Sequence, residues 1–188
     1  SGCGGNNSSI ADSDSSSQPT VSSTENAPAG EAVSAKVTDT GWTFSQVAMG
    51  GGGFVSGVFT TSQEGLYYAR TDVGGAYRYD KDTELWESIS YGISEEDQGY
   101  LGVAGLAFGE SDPNRLYLLS GTSYLSGGKT ALLISNDYGT TYTRTDLSGL
   151  IAVDGNGMGR GNGERIAVDP KNSDIVYAGG MSSGNLIK

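Results

Sequence analysis

The sequence predicts an all-β protein made of β-propeller blades. Glycine supplies 31 of the 188 residues and aromatic residues make up 9%, a composition typical of a turn-rich β protein. Tyr67, Tyr117 and Tyr177 occupy the same place in three similar segments, spaced about 50 and about 60 residues apart. Repeats of this length, made of short strands and glycine-rich turns, indicate propeller blades, and the chain has room for roughly three.

A ring of blades needs more chain than this. Each blade buries its two faces against neighbours, and a closed propeller has at least about four blades. We therefore expect residues 41–188 to be the N-terminal part of an incomplete propeller domain, with further blades beyond Lys188.

Residues 1–40 form a separate region. They contain ten serines and no aromatic residue, and they show no apolar period. Burial in such a segment cannot offset the entropy lost on ordering, so the composition predicts a disordered, serine-rich tether.

The one cysteine, Cys3, lies in Ser1-Gly2-Cys3-Gly4, which resembles the end of a bacterial lipoprotein signal peptide. The resemblance implies that Cys3 is lipidated, that Ser1 and Gly2 remain from the signal sequence, and that the protein is extracellular and anchored at a bacterial surface. The alternative is an accidental cysteine in a flexible tail. No stretch of the sequence approaches membrane-spanning length, so the lipid is the only membrane contact predicted.

Charge and composition exclude several functions. The net charge is -11, with 22 acidic against 11 basic residues, which disfavours nucleic acid and anionic membranes as partners. The chain has no histidine, which removes imidazole bases and the commonest zinc ligand. We predict no metal and no cofactor, and chemistry based on carboxylates or tyrosines.

The candidate catalytic residue is Asp72, at the turn between two β-prone runs, residues 67–69 and 76–79. Gly74 and Gly75 allow a tight connection and leave open space beside it. In most turns of this kind the aspartate side chain only hydrogen-bonds the backbone of its own turn, which is called an Asx-turn. That alternative stays open for Asp72.

Aromatic and cationic residues on either side of Asp72 predict a sugar-binding cleft around it. Tyr77 and Tyr79 offer flat rings, and Arg70 and Arg78, which bracket Asp72, add cations. The two-residue period of a strand places both tyrosines on one face and Arg78 on the other.

The glycine-rich stretch 154–165 has no strand-loop-helix context, which disfavours a phosphate loop. We predict a rim loop that brings Arg160, Glu164 and Arg165 towards the cleft. Arg165 as a buried ion-pair partner of Glu164 is an equal alternative.

Residues 135–142 fit the Asp-box pattern S-x-D-x-G-x-T-aromatic of sialidase-like propellers, through Ser135, Asp137, Gly139 and Tyr142. In such a turn the aspartate accepts backbone N–H groups, the glycine is left-handed and the aromatic ring packs on the blade. Asp137 is therefore predicted to be structural rather than catalytic.

Three blocks together resemble the N-terminal part of family 74 glycoside hydrolases, the xyloglucan-cleaving enzymes. They are Trp42-Thr43-Phe44 with residues 47–55, residues 68–78, and residues 159–170 without Asn162. The resemblance implies a seven-bladed propeller facing a second propeller, and cleavage of the β-1,4-glucan backbone of xyloglucan, a plant cell-wall polysaccharide, with inversion. It also implies Asp72 as general base, a second aspartate beyond Lys188 as general acid, and substrate contacts by Tyr77, Arg78, Tyr79, Arg160 and Arg165.

The alternative function is a non-catalytic Asp-box propeller that binds glycan or protein, as in sortilin-like proteins, with Asp72 only a turn residue. Blade repeats need Asp boxes and packing aromatics, but they do not need the whole block Thr71-Asp72-Val73-Gly74-Gly75-Ala76-Tyr77-Arg78. That block favours the enzyme.

Overall fold

The structure, a computed structural model, describes residues 34–36, 43–45, 47–90, 93–181 and 184–188. All paired strands are antiparallel. A two-stranded sheet is followed by three larger sheets, which we call blades one, two and three. Their strands are β1 (Ser34–Lys36) and β2 (Thr43–Ser45); β3 (Val55–Thr60), β4 (Tyr67–Thr71), β5 (Ala76–Asp80) and β6 (Leu85–Ser88) in blade one; β7 (Val103–Phe108), β8 (Leu116–Ser120), β9 (Ala131–Ser135) and β10 (Thr143–Asp146) in blade two; and β11 (Ile166–Asp169), β12 (Asn172–Gly179) and β13 (Leu186–Ile187) in blade three.

The three repeats predicted from the sequence are the three blades. Tyr67, Tyr117 and Tyr177 all lie in the second strand of their blade, β4, β8 and β12. The first strands of blades one and two also share an irregular register, between Val55 and Gly57 in β3 and between Val103 and Gly105 in β7. Matching bulges in matching strands confirm that one structural unit repeats.

Blade two is buried on both faces, because successive side chains of its strands point to opposite faces and each face packs against a neighbouring blade. Leu116 and Leu118 of β8 lie in a core shared with blade one, while Tyr117 and Leu119 lie in a second core shared with blade three. All four side chains lie in apolar surroundings, which explains why the sequence of this strand is a continuous apolar run.

The outer blades are less covered. Tyr117 is 3% exposed, whereas the equivalent Tyr177 is 37% exposed, because its face of blade three has no neighbouring sheet among the described residues. Val58, on β3 of blade one, is also exposed.

Two short helical segments lie in connections at one end of the blades. A 3-10 helix, Glu95–Leu101, joins blade one to blade two, and α1, Ser123–Ser126, lies between β8 and β9. The turn after β4 and the connection from blade two to blade three leave the strands at this same end, which becomes the rim of the candidate site.

The N-terminal region differs in part from the prediction. Strand β1 lies inside residues 1–40 and pairs with β2, with Ala35 opposite Phe44. The disordered tether is therefore wrong for residues 34–36, where strand pairing supplies the backbone hydrogen bonds. Cys3 and Trp42 lie outside the described residues, so the lipid anchor stays a prediction.

Candidate active site

Asp72 is buried at the end of β4, with 6% of its surface exposed. Its Oδ1 accepts a hydrogen bond from the Phe54 N–H at 2.7 Å, and its own N–H donates to the Phe54 carbonyl at 3.1 Å. The first bond holds the carboxylate of Asp72, and the second ties its backbone to the same residue.

The turn after Asp72 is closed by Thr71. The Thr71 hydroxyl donates to the Gly75 carbonyl at 2.9 Å and accepts from the Gly74 N–H at 2.8 Å, and the Thr71 N–H also donates to the Gly75 carbonyl. Gly75 has φ 80°, as the tight connection requires. The Asx-turn alternative is therefore not what the structure shows, because the side chain that holds this turn is a threonine.

Arg160 is the charged neighbour of Asp72. Its Nε lies 3.3 Å from Asp72 Oδ2, but the N–H makes no hydrogen bond, so the contact is an ion pair without good hydrogen-bond alignment. The guanidinium lies 5.5 Å from the centre of the Phe54 ring, within range of a cation–π contact. The structure thus brings Arg160 from the glycine-rich stretch to Asp72, as expected.

Phe54 is the aromatic residue that the sequence analysis missed. The residue is 58% exposed beside Asp72, and its ring lies below the Arg160 guanidinium. Its position directly after the glycine run 50–53 was the available signal, since small residues around an aromatic ring leave it accessible.

Tyr77 and Tyr79 do not lie where the predicted cleft needs them. Tyr77 is 3% exposed, and a Cβ placed on Gly51 would lie 1.6 Å from its hydroxyl, so the loop before β3 covers it. Tyr79 lies about 10 Å further along β5 than Ala76, at about 3.3 Å per residue, and packs near Tyr67 and Trp86. Neither ring is available as a sugar platform at Asp72.

Arg78 faces blade two. Its Nη1 donates to the Tyr138 carbonyl at 3.2 Å, and the side chain lines a cavity of about 490 Å³ at the far end of the blades. The two-residue period correctly predicted that Arg78 and the two tyrosines point to opposite faces of the strand. The structure, however, has none of the three side chains at Asp72.

Glu164 pairs with Arg70 rather than with Arg165. The distance from Glu164 Oε1 to Arg70 Nη2 is 2.7 Å. Within the described ranges no hydrogen bond or ion pair of the Arg165 side chain is found; its backbone carbonyl accepts from Gly179 at 2.8 Å. The alternative in which Arg165 neutralises Glu164 is wrong, because a buried arginine on β4 takes that place.

Close backbone contacts join the loops around the site. Gly75 donates to the Leu101 carbonyl at 2.7 Å, Gly121 to Gly102 at 2.9 Å, and Gly155 to Gly121 at 2.7 Å. These loops come from blade one, blade two and both connections, so the rim around Asp72 is one hydrogen-bonded unit.

Asp137 lies in the turn between β9 and β10. Its carboxylate accepts hydrogen bonds from the Thr141 hydroxyl, the Thr141 N–H and the Ser135 hydroxyl, which lower the pKa of Asp137 to about 2. Gly139 has φ 88°, the left-handed conformation predicted for it, and Tyr142 packs against the core between blades one and two. The carboxylate oxygens of Asp137 thus accept hydrogen bonds within the turn, as expected for a structural aspartate.

The low pKa of Asp137 predicts a pH-dependent stability. The folded-state pKa lies below the ordinary value of 3.8, so the stabilisation is present above pH 4 and is lost as pH falls towards 2. We expect Asp137→Ala to lower the urea midpoint of the full-length protein at pH 6 and to lower it less near pH 2. Asp137→Asn, which keeps one acceptor oxygen without charge, should show a smaller change with pH. An Asp137→Ala effect of equal size at both pH values would contradict this assignment.

Metal-binding and membrane-spanning features are not found in the described part of the chain. No group of three or more histidine, cysteine, aspartate or glutamate side chains could hold a metal ion there. Neither helical segment in the described ranges has the length and apolar character of a membrane-spanning helix.

No family model matches the sequence, but individual proteins do. A xyloglucanase of Paenibacillus sp. is 42% identical over 149 residues, which are 77% of this chain and 14% of that protein. A xyloglucanase of Acetivibrio thermocellus is 39% identical over 155 residues, which are 80% of this chain and 18% of that protein. The crystal structure of a GH74 enzyme from Niastella koreensis matches with a TM-score of 0.69 and 47% identity over 74% of this chain and 20% of that chain. The matched part of the chain is therefore similar in sequence and in structure to glycoside hydrolase family 74 enzymes.

The similarity to solved structures confirms the predicted fold class. The structural neighbours, which include a GH74 xyloglucanase from Xanthomonas campestris at a TM-score of 0.65, are β-propeller enzymes. The chain spans 14% to 20% of the length of the relatives named above. The three blades of the described residues therefore correspond to a small part of these longer relatives.

Proposed function

We propose that the full-length protein is a glycoside hydrolase that cleaves the β-1,4-glucan backbone of xyloglucan, with Asp72 as general base. One observation supports this role most: the Asp72 carboxylate is oriented by Phe54 and faces Arg160, while Thr71 closes the turn. The xyloglucanase names of the relatives support the substrate.

The two oxygens of Asp72 suit a base that activates water. Oδ1 accepts the Phe54 N–H, whereas Oδ2 has, among the described residues, the ion pair with Arg160 and keeps lone pairs for a water molecule. In an inverting glycosidase the base and the acid stand about 6.5 to 9.5 Å apart, which leaves space for that water below the sugar. Asp72 then takes the proton as the water attacks the anomeric carbon.

The general acid is proposed to lie outside residues 1–188. Two other carboxylates belong to the loop that carries Arg160, and both are already engaged. Glu164 binds Arg70 and the Leu106 N–H, and Asp154 accepts from the Ser123 hydroxyl and the Asn156 N–H. A sugar alkoxide is a poor leaving group, so cleavage needs a protonated acid from another part of the protein.

The substrate contacts proposed for this segment are Phe54 and Arg160. Phe54 offers an exposed ring to the apolar face of a sugar. The Arg160 side chain beside it is 37% exposed and presents a cation, although its Nε faces Asp72 and its Nη1 donates to the Gly157 carbonyl at 3.4 Å. They replace Tyr77, Arg78 and Tyr79 in that role. Arg165 stays a prediction as a substrate contact.

Sugar release tests the proposal. We expect the full-length protein to release reducing ends from xyloglucan faster than from cellulose or mixed-linkage glucan, and residues 1–188 alone to release none. Binding of xyloglucan without release by the full-length protein would instead support the non-catalytic propeller. Release by residues 1–188 would show that the acid lies within them.

The extracellular location and the lipid anchor at Cys3 stay predictions. Transfer of the protein from the membrane fraction to the soluble fraction on Cys3→Ser is the result expected if the anchor exists.

A further inference from the structure

Arg70 is a buried arginine that connects blades one and two with the loop that leads into blade three. Its side chain is 1% exposed, and its Nη1 donates to the Ser56 hydroxyl of β3 at 2.6 Å and to the Val103 carbonyl of β7 at 3.3 Å. Its Nε and Nη2 both contact Glu164 Oε1 at 2.7 Å. One guanidinium therefore binds blade one, blade two and the loop that leads into blade three.

Glu164 completes the connection. Its second oxygen, Oε2, accepts the Leu106 N–H of β7 at 2.9 Å, so each carboxylate oxygen has its own partner. A glycine makes room for the arginine, because a Cβ on Gly57 would lie 3.0 Å from Arg70 Nε. A paired charge with all its atoms bound is one that a protein interior tolerates.

The same arginine holds the loop next to Asp72. Arg70 contacts the carbonyl of Arg160 through Nη1 and the carbonyl of Gly163 through Nη2, both at 3.4 Å. Arg160 is the residue whose side chain reaches Asp72. The backbone that presents Arg160 is thus bound on one side by Arg70 and anchored further on by Glu164.

We propose that Arg70 and Glu164 are positioning residues, which hold the loop so that Arg160 lies against Asp72 before substrate binds. The inference rests on the proposed function of Asp72. Neither residue is expected to touch the substrate, because Arg70 is buried and both carboxylate oxygens of Glu164 are already bound. Misplacement of a catalytic group by about 1 Å can cost about 10²-fold in rate, so a loosened loop should lower kcat more than it raises KM.

The test is a double-mutant cycle in the full-length protein with Glu164→Gln, Arg160→Ala and the double variant. Glu164→Gln keeps the shape but gives up the charge and one acceptor, so Arg70 and the Leu106 N–H cannot both be satisfied. We expect about a tenfold lower kcat per folded molecule, with KM changed less than about twofold. If Glu164 acts through Arg160, the double variant should be no slower than Arg160→Ala alone.

If the kcat losses of the two single variants multiply in the double variant, the proposal is overturned. An Arg160→Ala variant with unchanged kcat would also overturn it. Arg70→Lys, which keeps the charge but removes the planar fork, gives the same comparison if Glu164→Gln lowers the folded fraction. Asp174→Asn is the matched control, because Asp174 pairs with Arg115 between blades two and three and is expected to leave kcat unchanged. Asp72→Asn separates the two failures: if it keeps full turnover, the proposed function is wrong, whatever the cycle shows.

Discussion

Asp72→Asn in the full-length protein is expected to lower turnover of xyloglucan by about 10² to 10⁴, the range of general-base catalysis. Asparagine keeps the size of the side chain and an oxygen that can accept the Phe54 N–H. It loses the negative charge that takes a proton from water and that pairs with Arg160. Because Thr71 closes the turn, melting should change little.

Asp80→Asn is the control for Asp72→Asn. Asp80 ends the strand that follows the turn, and its carboxylate is used locally by the Asp82 N–H and the Thr83 hydroxyl, so its loss should leave turnover unchanged. Equal turnover per folded molecule in Asp72→Asn and wild type, with a much lower melting temperature in Asp72→Asn, would mean that Asp72 is only structural.

Gly155→Ala is expected to lower the stability of the full-length protein. A Cβ at Gly155 would lie 2.4 Å from the Gly102 carbonyl carbon and 2.7 Å from the Val103 nitrogen, and neither backbone can move freely. Overpacking of this kind costs about 1 to 3 kcal/mol, and a clash with backbone belongs at the upper end. The first unfolding transition in urea should shift to lower concentration.

Gly161→Ala is the matched control in the same glycine-rich stretch. A Cβ at Gly161 meets no atom within 4 Å, so the change should be neutral or slightly stabilising. Equal urea midpoints for the two variants would show that the rim loops are not packed as closely as the structure has them.

Local sequence chemistry predicted the blades well. The hairpin around Asp72 follows from two β-prone runs and two glycines, and the repeated tyrosines fall in equivalent strands because each blade solves the same packing problem. The sequence blocks that resemble family 74 contain Asp72 and Arg160, and the structure brings these two charged residues together.

The rest of the site depends on contacts between distant residues. Arg70 and Glu164 are separated by 94 positions, and no turn or period in the sequence connects them. Strand alternation predicted that Tyr77 and Tyr79 share a face, but it cannot say what covers that face. The Gly51 loop and the aromatic neighbours of Tyr79 decide this in three dimensions, and they move the aromatic role at Asp72 to Phe54.

The configuration of the first sugar product tests most directly whether Asp72 acts as a base on water. Proton NMR during the first minutes of xyloglucan cleavage by the full-length protein distinguishes the two anomers before they equilibrate. The account predicts that the new reducing end appears first as the α-anomer, because water held by the base attacks from the face opposite the β-linked leaving group. The β-anomer appearing first would contradict it, since retention requires a carboxylate that attacks the sugar itself.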